Sequence, residues 1–354
     1  PDLWSSHFRQ TADIDFNPNA PADWAGDGVD WDLDGADDDT TSGYVGFSPI
    51  GNTTTKFTGS YDGGGHVIEH LYSSDRHQAT DYVGFFGYVR NADHIRDIGF
   101  VDAYVEGEDY VGIVCGYCDV DISRVYTTGE VNANILAGGI AGTAYGTVAN
   151  VYSQAEIQST ANDYRAGGLV GRLESGSSLR SSFSAGNVKQ STAGGLVGVI
   201  NGGTIVTPKS FWNTKTNTTQ VGVGDANGVT LANVEARNTA TMTDIENDGT
   251  SIYTDAGWDF AGDSSDGVDE AWLMADGEYP RLAWEDKDTL TADELHLDGL
   301  GTRFSPFQID SPEDLITISQ NSEYWEKHFI QTTDIVFDPD ETQVDWNGDG
   351  TTGD

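Results

Sequence analysis

The chain has 354 residues, of which 44 are glycine and 38 are aromatic (9 Trp, 15 Tyr and 14 Phe). This aromatic content argues against a disordered chain, and no apolar run reaches the about 20 residues that a membrane span needs. The 17 basic and 58 acidic residues give a formal net charge of −41, and such a surface repels nucleic acid and anionic membranes. Acidity of this degree suits high salt or a medium rich in divalent cations, but it names no function.

The first segment, residues 1–42, carries alternating acidic residues before glycine. Asp30-Trp-Asp-Leu-Asp-Gly35 has the Asp-x-Asp-x-Asp-Gly pattern of calcium loops, in which the glycine allows the turn that aims the carboxylates at one hard cation. Thr41 stands where an EF-hand loop has its last acid, so a shorter loop is favoured. The alternative is a hydrated acidic loop without an ion. The predicted Ca2+ ligands are Asp23, Asp27, Asp30, Asp32, Asp34, Asp345, Asn347 and Asp349.

A second motif, His66-Val-Ile-Glu-His70, fits the His-x-x-Glu-His pattern of inverted zinc peptidases. That chemistry needs a helix, whereas three glycines precede this stretch and its alternation is typical of a strand. In a strand the two histidines would lie about 13 Å apart at ~3.3 Å per residue, too far to share one zinc ion. The sequence therefore argues against zinc catalysis here.

Five glycine-bracketed segments recur within residues 43–215, and their closing glycines follow one another at intervals of about 27 residues. The segments are 82–87, 110–116, 137–142, 166–171 and 193–198. Each is followed by an aliphatic residue and then by an aromatic one. These marker pairs are Ile95 and Phe100, Ile122 and Tyr126, Val148 and Tyr152, Leu179 and Phe183, and Ile205 and Phe211.

Each unit is long enough for about three short strands, and a unit that small buries its apolar face only by stacking on its neighbours. Equivalent residues then repeat at ~4.8 Å per coil, so the aliphatic markers form an interior ladder. Crossovers between parallel strands are almost always right-handed. The sequence therefore predicts an all-β protein, a right-handed parallel β-helix (solenoid) with coils of about 27 residues.

The only two cysteines, Cys115 and Cys118, fall at apolar positions of the repeat. The repeat aligns Cys115 with Ala141, Val170 and Val197, and Cys118 with Ala144, Leu173 and Ile200. Buried small apolar residues are therefore the favoured interpretation. A local disulfide and a redox motif are the alternatives.

Residues 216–285 are predicted to form a closing β segment, and residues 286–354 a junction and the start of the next tandem module. Residues 4–18 return as residues 325–339, a shift of 321. The chain is therefore predicted to be a processed product or a slice that starts inside one module and ends inside the next. The alternative is a two-copy protein.

The junction also contains a predicted short helix. Ser311 is its capping residue, Pro312 its first residue and Asp314 the end of a capping pattern.

The cores Gly168-Leu-Val-Gly171 and Gly195-Leu-Val-Gly198 resemble the GLUG motif of extracellular repeat proteins, and Gly139-Ile-Ala-Gly142 is a conservative match. The units that end at Gly116 and Gly87 depart from it, the first by replacing the leading glycine and the second by using aromatic residues. Residues 57–66, 257–260 and 279–284 are similar to opening and closing segments of that family. The resemblance implies a surface protein with a parallel β-helix fold, and it says little about activity. Some such repeats lie beside peptidase domains of the immunoglobulin-A-cleaving type, where they are accessory.

The leading hypothesis is a non-catalytic structural module of an extracellular filament or surface layer. It is built from tandem modules of about 321 residues, stabilised by Ca2+, and its partners are neighbouring copies joined head to tail. The alternative is a surface adhesin for carbohydrate or a host protein, which an exposed row around Trp212, Trp258 and Trp272 would favour. The minor alternative is a polysaccharide-processing β-helix enzyme. Such an enzyme needs a basic residue beside an acidic sugar, and the candidates fall in separate coils without forming a column: Arg90, Arg96, Arg124, Arg165, Arg172 and Arg180.

Overall fold

The computed structural model describes most of the chain and locates two compact units, each considered by itself. The described residues are 3–16, 45–74, 81–160, 165–189, 193–217, 221–245, 251–261, 271–275, 277–285, 307–309, 312, 315, 318, 329–333 and 335. The first unit comprises Pro1–Trp258 and Met274–Pro280, and the second comprises Asp259–Leu273 and Arg281–Asp354.

The first unit forms one sheet whose strands pair with strands of the adjacent coils, and the strands Phe86–Gly107 and Cys115–Ala133 each follow most of a coil without interruption. Its strands begin with β1 (His7–Arg9), β2 (Ile14–Asp15), β3 (Val45–Gly46), β4 (Ser60–Glu69), β5 (Tyr72–Ser74), β6 (Tyr82–Val83), β7 (Phe86–Gly107), β8 (Tyr110–Gly112), β9 (Cys115–Ala133), β10 (Leu136–Gly138) and β11 (Ala141–Ala144). They continue with β12 (Thr147–Ser153), β13 (Glu156–Ser159), β14 (Ala166–Gly167), β15 (Val170–Glu174), β16 (Ser178–Arg180), β17 (Phe183–Ser184), β18 (Gly194–Asn201), β19 (Thr204–Ile205), β20 (Ser210–Asn213), β21 (Val221–Asp225) and β22 (Val234–Arg237).

One column of paired residues runs through the first unit and defines the stacking. It joins β1, β4, β7, β9, β12, β16 and β19, and every pairing in it is parallel. Its members, in stacking order, are Phe8, Tyr61, Ile95, Ile122, Val148, Leu179 and Ile205. The five predicted ladder residues therefore stack as expected, and all five are buried. The predicted parallel β-helix, with its coils of about 27 residues, is confirmed.

The aromatic series stacks as predicted except at its first member. Tyr126, Tyr152, Phe183 and Phe211 are paired in successive coils, but Tyr126 lies opposite Gly99, and Phe100 lies opposite Thr127. A shift of one residue moves a strand side chain to the other face of the sheet. Phe100 is accordingly fully buried, with its ring centroid 5.5 Å from that of Phe85. The prediction that Phe100 belongs to this column was wrong.

The closing glycines of the motifs form a column in which adjacent coils approach too closely for a side chain. A Cβ added to Gly171 would lie 2.5 Å from the carbonyl oxygen of Gly142, and one added to Gly198 would lie 2.6 Å from that of Gly171. The leading glycine meets an inward side chain instead, since a Cβ on Gly168 would lie 2.1 Å from Ser184 Oγ. Backbone proximity and buried serines explain why the motif requires glycine at both ends.

A bend that recurs in successive coils holds a buried ion pair. Asp97 and Arg124 occupy this bend in adjacent coils, both with a left-handed backbone (φ 54° and 52°). Arg124 Nε and Nη2 donate to Asp97 Oδ1 and Oδ2 at 2.6 and 2.8 Å. Arg124 is only 6% exposed and Asp97 only 2%. Burial raises the pKa of Asp97, and the guanidinium of Arg124 acts in the opposite direction.

A closing segment with two short helices, α1 (Thr239–Met242) and α2 (Ile252–Asp255), packs against the aromatic column at Phe183 and Phe211. Tyr253 and Trp258 are fully buried, and their rings lie 5.0 and 5.8 Å from that of Phe211. Trp258 Nε1 also donates to the carbonyl oxygen of Lys209 at 2.8 Å. The closing segment therefore shields Phe183 and Phe211 of this column from water.

The second unit contains two small sheets. The first pairs β23 (Trp272–Leu273) antiparallel with β24 (Arg281–Leu282), followed by a 3-10 helix at Ala283–Glu285. The second pairs β25 (Phe307–Ile309) in parallel with β26 (Phe329–Gln331). Between β25 and β26, the described residues Pro312, Leu315 and Ile318 are helical, where the sequence predicts the short helix. The predicted domain boundaries at residues 42, 215 and 285 stay predictions.

The glycine column predicts a stability effect. Replacing Gly171 with alanine should lower the free energy of unfolding by about 1–3 kcal/mol, because the new Cβ meets a backbone carbonyl that cannot move aside. Ser175→Ala, an exposed change in the same coil, should stay within about 0.5 kcal/mol of the parent chain. Urea unfolding measures both. Equal effects of the two substitutions would contradict the close-approach explanation.

Breaking the buried ion pair is also expected to lower the free energy of unfolding. Arg124→Met should lower the free energy of unfolding by about 3 kcal/mol, because it removes both short hydrogen bonds to the buried Asp97 carboxylate and leaves it only Arg96 Nε, at 3.5 Å. The control is Arg90→Met, since Arg90 is half-exposed and its Nε lies 4.0 Å from Asp119 Oδ2. That change should cost less than about 1 kcal/mol. Thermal unfolding of both variants at neutral pH provides the comparison, and a small loss for Arg124→Met would refute the assignment.

Candidate functional site

The predicted calcium ligands all lie outside the described residues. They are Asp23, Asp27, Asp30, Asp32, Asp34, Asp345, Asn347 and Asp349. Calcium binding therefore stays a prediction from the sequence pattern. Within the described part of the chain, no group of three or more His, Cys, Asp or Glu side chains is placed to hold a metal ion.

The two histidines of the His-x-x-Glu-His motif lie on and just after a strand, as their alternation predicts. His66 is within β4, and His70 follows its last residue with a left-handed backbone, φ 55°. His66 Nδ1 lies 3.1 Å from Asp13 Oδ1, and His70 Nδ1 lies 2.9 Å from Asp15 Oδ1. Each histidine thus contacts its own carboxylate from the N-terminal segment. The pairs join that segment to β4.

The two cysteines are buried at the predicted register. Cys115 pairs with Ala141 and Cys118 with Ala144, and both cysteines are fully buried. Their sulfur atoms are bonded to each other, which is the alternative that the sequence ranked second. Both side chains point inward from one strand with their Cα atoms 5.9 Å apart, a separation that a disulfide spans. The bond therefore lies inside the apolar core.

The tryptophans that would have formed an exposed row are buried. Trp212 is 4% exposed, and Trp258 and Trp272 are fully buried. They contribute to the cores of their own units and present no aromatic surface to a ligand.

Two of the arginines considered for sugar chemistry form ion pairs with carboxylates. Arg124 pairs with Asp97, and Arg96 Nη2 lies 2.7 Å from Asp62 Oδ2.

A strip of partly exposed tyrosines runs along the β-helix, and the sequence reasoning missed it. The rings of Tyr88 and Tyr117 stack at 4.1 Å, and Tyr145 continues this row at 4.8 Å. Tyr82 and Tyr110 form a second stacked row at 4.8 Å on the neighbouring strands. A signal was present in the sequence, since Tyr88 and Tyr117 each follow a closing glycine directly. Residues at one offset in successive coils must stack.

Two hydroxyls of this strip, those of Tyr82 and Tyr117, have raised pKa values. Burial raises the pKa of the Tyr117 hydroxyl, and its hydrogen bonds with Tyr145 and Tyr88 raise it further. Burial, with the neighbouring Tyr110 and Asp81, raises the pKa of Tyr82 to about 12. These hydroxyls therefore stay protonated, and they offer hydrogen bonds and ring edges rather than a nucleophile or a base.

The first coil of the β-helix presents a strand edge. Among the described residues, β1 has a strand partner on one edge only, where the N–H of Gln10 donates to the carbonyl oxygen of Asp62 in β4 at 2.8 Å. Apolar side chains are exposed nearby, with Leu3 67% and Ile14 40% accessible. An unpaired edge beside apolar side chains is a surface suited to strand addition.

Comparisons with known proteins give one similarity in sequence and one in structure, while no family model matches the chain. The chain is 36% identical over 142 residues to halomucin from Haloquadratum walsbyi. The match covers 39% of this chain and 1% of halomucin, so the chain spans about one hundredth of that relative's length.

The structural similarity is to a Bacteroides ovatus protein provisionally named an immunoglobulin A1 protease. The match has a TM-score of 0.44 and 20% sequence identity, and it covers 78% of this chain and 86% of the other. A similarity at this level carries no argument about the function of either unit. In the described part of the chain, no helix is both long and apolar enough to cross a membrane.

Proposed function

We propose that this chain is a non-catalytic structural module of an extracellular filament or surface layer, in which modules of about 321 residues follow one another. The observation that carries the proposal is the return of residues 4–18 as residues 325–339. The two copies also share local structure, since β26 in the second copy and Phe8 and Arg9 in the first lie in parallel strand pairs. A solenoid extends by adding coils, so tandem modules suit it.

The internal chemistry supports a structural role. The described buried ion pair joins adjacent coils at a bend, the disulfide is enclosed in the core, and burial raises the pKa of the Tyr82 and Tyr117 hydroxyls in the tyrosine strip. The ion pair and the stacked rings stabilise the stacking of coils, the disulfide links two residues of one strand, and none of these groups is poised as an acid, base or nucleophile.

The surface charge and the sequence relative support a location outside the cell. The sequence relative is named halomucin and comes from Haloquadratum walsbyi, and we take the word mucin in that name as support for a surface protein. A net charge of −41 keeps a protein soluble where salt screens the repulsion between its own carboxylates. Both features fit a coat exposed to high salt.

Electron microscopy tests the tandem arrangement. Antibodies raised against the purified chain should label unpermeabilised cells and decorate rods or filaments released from them. The seven stacked levels of the first unit span about 29 Å at ~4.8 Å per level, so the axial repeat of one module should exceed that length. Labelling that requires permeabilisation, or native material made only of compact particles, would exclude the proposal.

Calcium stabilisation is a separate proposal and has its own test. Millimolar calcium should raise the melting temperature of the full chain in high salt and release heat in titration calorimetry. The triple change Asp30→Asn, Asp32→Asn and Asp34→Asn should remove both effects, because it removes the alternating carboxylates.

The matched control removes the same charge elsewhere through Asp93→Asn, Asp119→Asn and Asp244→Asn, and it should keep the calcium response. If the control variant loses as much of the calcium response as the triple variant does, calcium acts only through the overall charge of the chain.

A further inference from the structure

We propose that the outer edge of β1 is the acceptor for a strand of the β25 type, supplied by a preceding copy of the module. The incoming strand would have the sequence Phe-Gln-Ile of residues 307–309 and would lie parallel to His7–Arg9. This inference rests on the proposed tandem arrangement and names the two strands that join successive copies.

The second unit shows the pairing that such a strand makes. Phe307 pairs with Phe329, Gln308 with Ile330 and Ile309 with Gln331. The N–H of Thr332 donates to the carbonyl oxygen of Ile309 at 3.0 Å. Phe307 and Ile309 are only 3% and 8% exposed, and the rings of Phe307 and Phe329 lie 5.9 Å apart. The contact therefore has both backbone and apolar components.

The acceptor in that pairing is a second copy of the first coil's own strand. The shift that relates residues 325–339 to residues 4–18 also superposes 329–332 on 8–11 in the sequence. The two copies make the same local hydrogen bond: Gln10 Nε2 donates to the carbonyl oxygen of Ala12, and Gln331 Nε2 donates to that of Thr333, each at 2.8 Å. The strand is thus equivalent in sequence and in local geometry.

The two copies use opposite edges of this strand. In the first copy, the N–H of Gln10 points at β4 and donates to Asp62. Along a parallel strand, successive residues direct their backbone groups to alternate edges, so Arg9 and Thr11 face the other side. Thr332, the counterpart of Thr11, is the residue whose N–H donates to Ile309 in the second copy. One strand can therefore hold β4 and the incoming strand together.

The surroundings of β1 fit this occupant. The ring of Phe8 packs on Phe57 at 6.2 Å and stays partly exposed. An incoming phenylalanine would cover Phe8 as Phe307 covers Phe329. Such a strand would also pair an edge that otherwise invites aggregation, and it would reduce the water contact of Leu3 and Ile14 nearby.

A peptide-binding experiment on the full chain tests the assignment. A fluorescent peptide of residues 301–320 is titrated with the chain, and its anisotropy should rise to saturation. Arg9→Pro removes one N–H from the outer edge and leaves those of Phe8 and Gln10 for β4, so it should weaken binding at least about tenfold. Proline is tolerated at a sheet edge, so the melting temperature of this variant should match that of the parent chain.

The internal repeat supplies the matched control. Ile330→Pro makes the same change in the second copy and should leave peptide binding within about twofold of the parent value. A peptide that carries Phe307→Asp and Ile309→Asp should not bind. The proposal is overturned if the parent chain leaves the anisotropy unchanged up to about 1 mM, or if Ile330→Pro abolishes binding while Arg9→Pro does not.

The outcomes also separate this inference from the proposed function. If the peptide binds in a way that requires Arg9 but cells carry no filaments, the strand acceptor stands and the filament proposal is rejected. If cells carry filaments but the chain does not bind the peptide, the filament proposal stands and the outer edge of β1 is rejected as the joint between copies.

Discussion

The structure depends on one constraint, which is that a coil of about 27 residues can bury its apolar side chains only against the coils beside it. Parallel stacking then places each residue over its equivalent at ~4.8 Å. The column from Phe8 to Ile205 is the direct result. The same spacing explains the glycines, because Gly142, Gly171 and Gly198 follow one another where a backbone carbonyl occupies the place of a side chain.

Stacking also decides where a highly acidic chain keeps its charges, because like charges at one position in adjacent coils repel at short range. At the buried bend, Asp97 is matched by Arg124 of the next coil, which binds it through two nitrogen atoms. Where two acids do stack, as Glu130 and Glu156 do, both are partly exposed and Lys189 contacts Glu156. A chain with a charge of −41 can thereby build an apolar core.

Because the coils stack on one another, groups free for other contacts are found on the lateral surface and at the first and last coils. Tyr253 and Trp258 lie alongside the aromatic column, where their rings approach both Phe183 and Phe211. At the first coil, β1 has a strand partner on one edge only among the described residues, and the proposed occupant of its other edge is a strand like Phe307–Ile309. The tyrosine strip lies on the lateral surface of the coils.

The sequence by itself determined the fold class and much of the register. The ladder from Ile95 to Ile205 and the positions of Cys115 and Cys118 follow from repeat spacing alone, because equal offsets in successive coils must stack. Only the tertiary structure decided features that depend on side-chain direction or on small irregularities. The register is unbroken from His94 to Phe100, so Phe100 lies opposite Thr127 rather than Tyr126, and its side chain is buried. The disulfide depends on two side chains of one strand both turning inward, the Asp97–Arg124 pair on a distance across coils, and the burial of Trp258 on the packing of the closing segment. The spacing of markers along the chain encodes none of these.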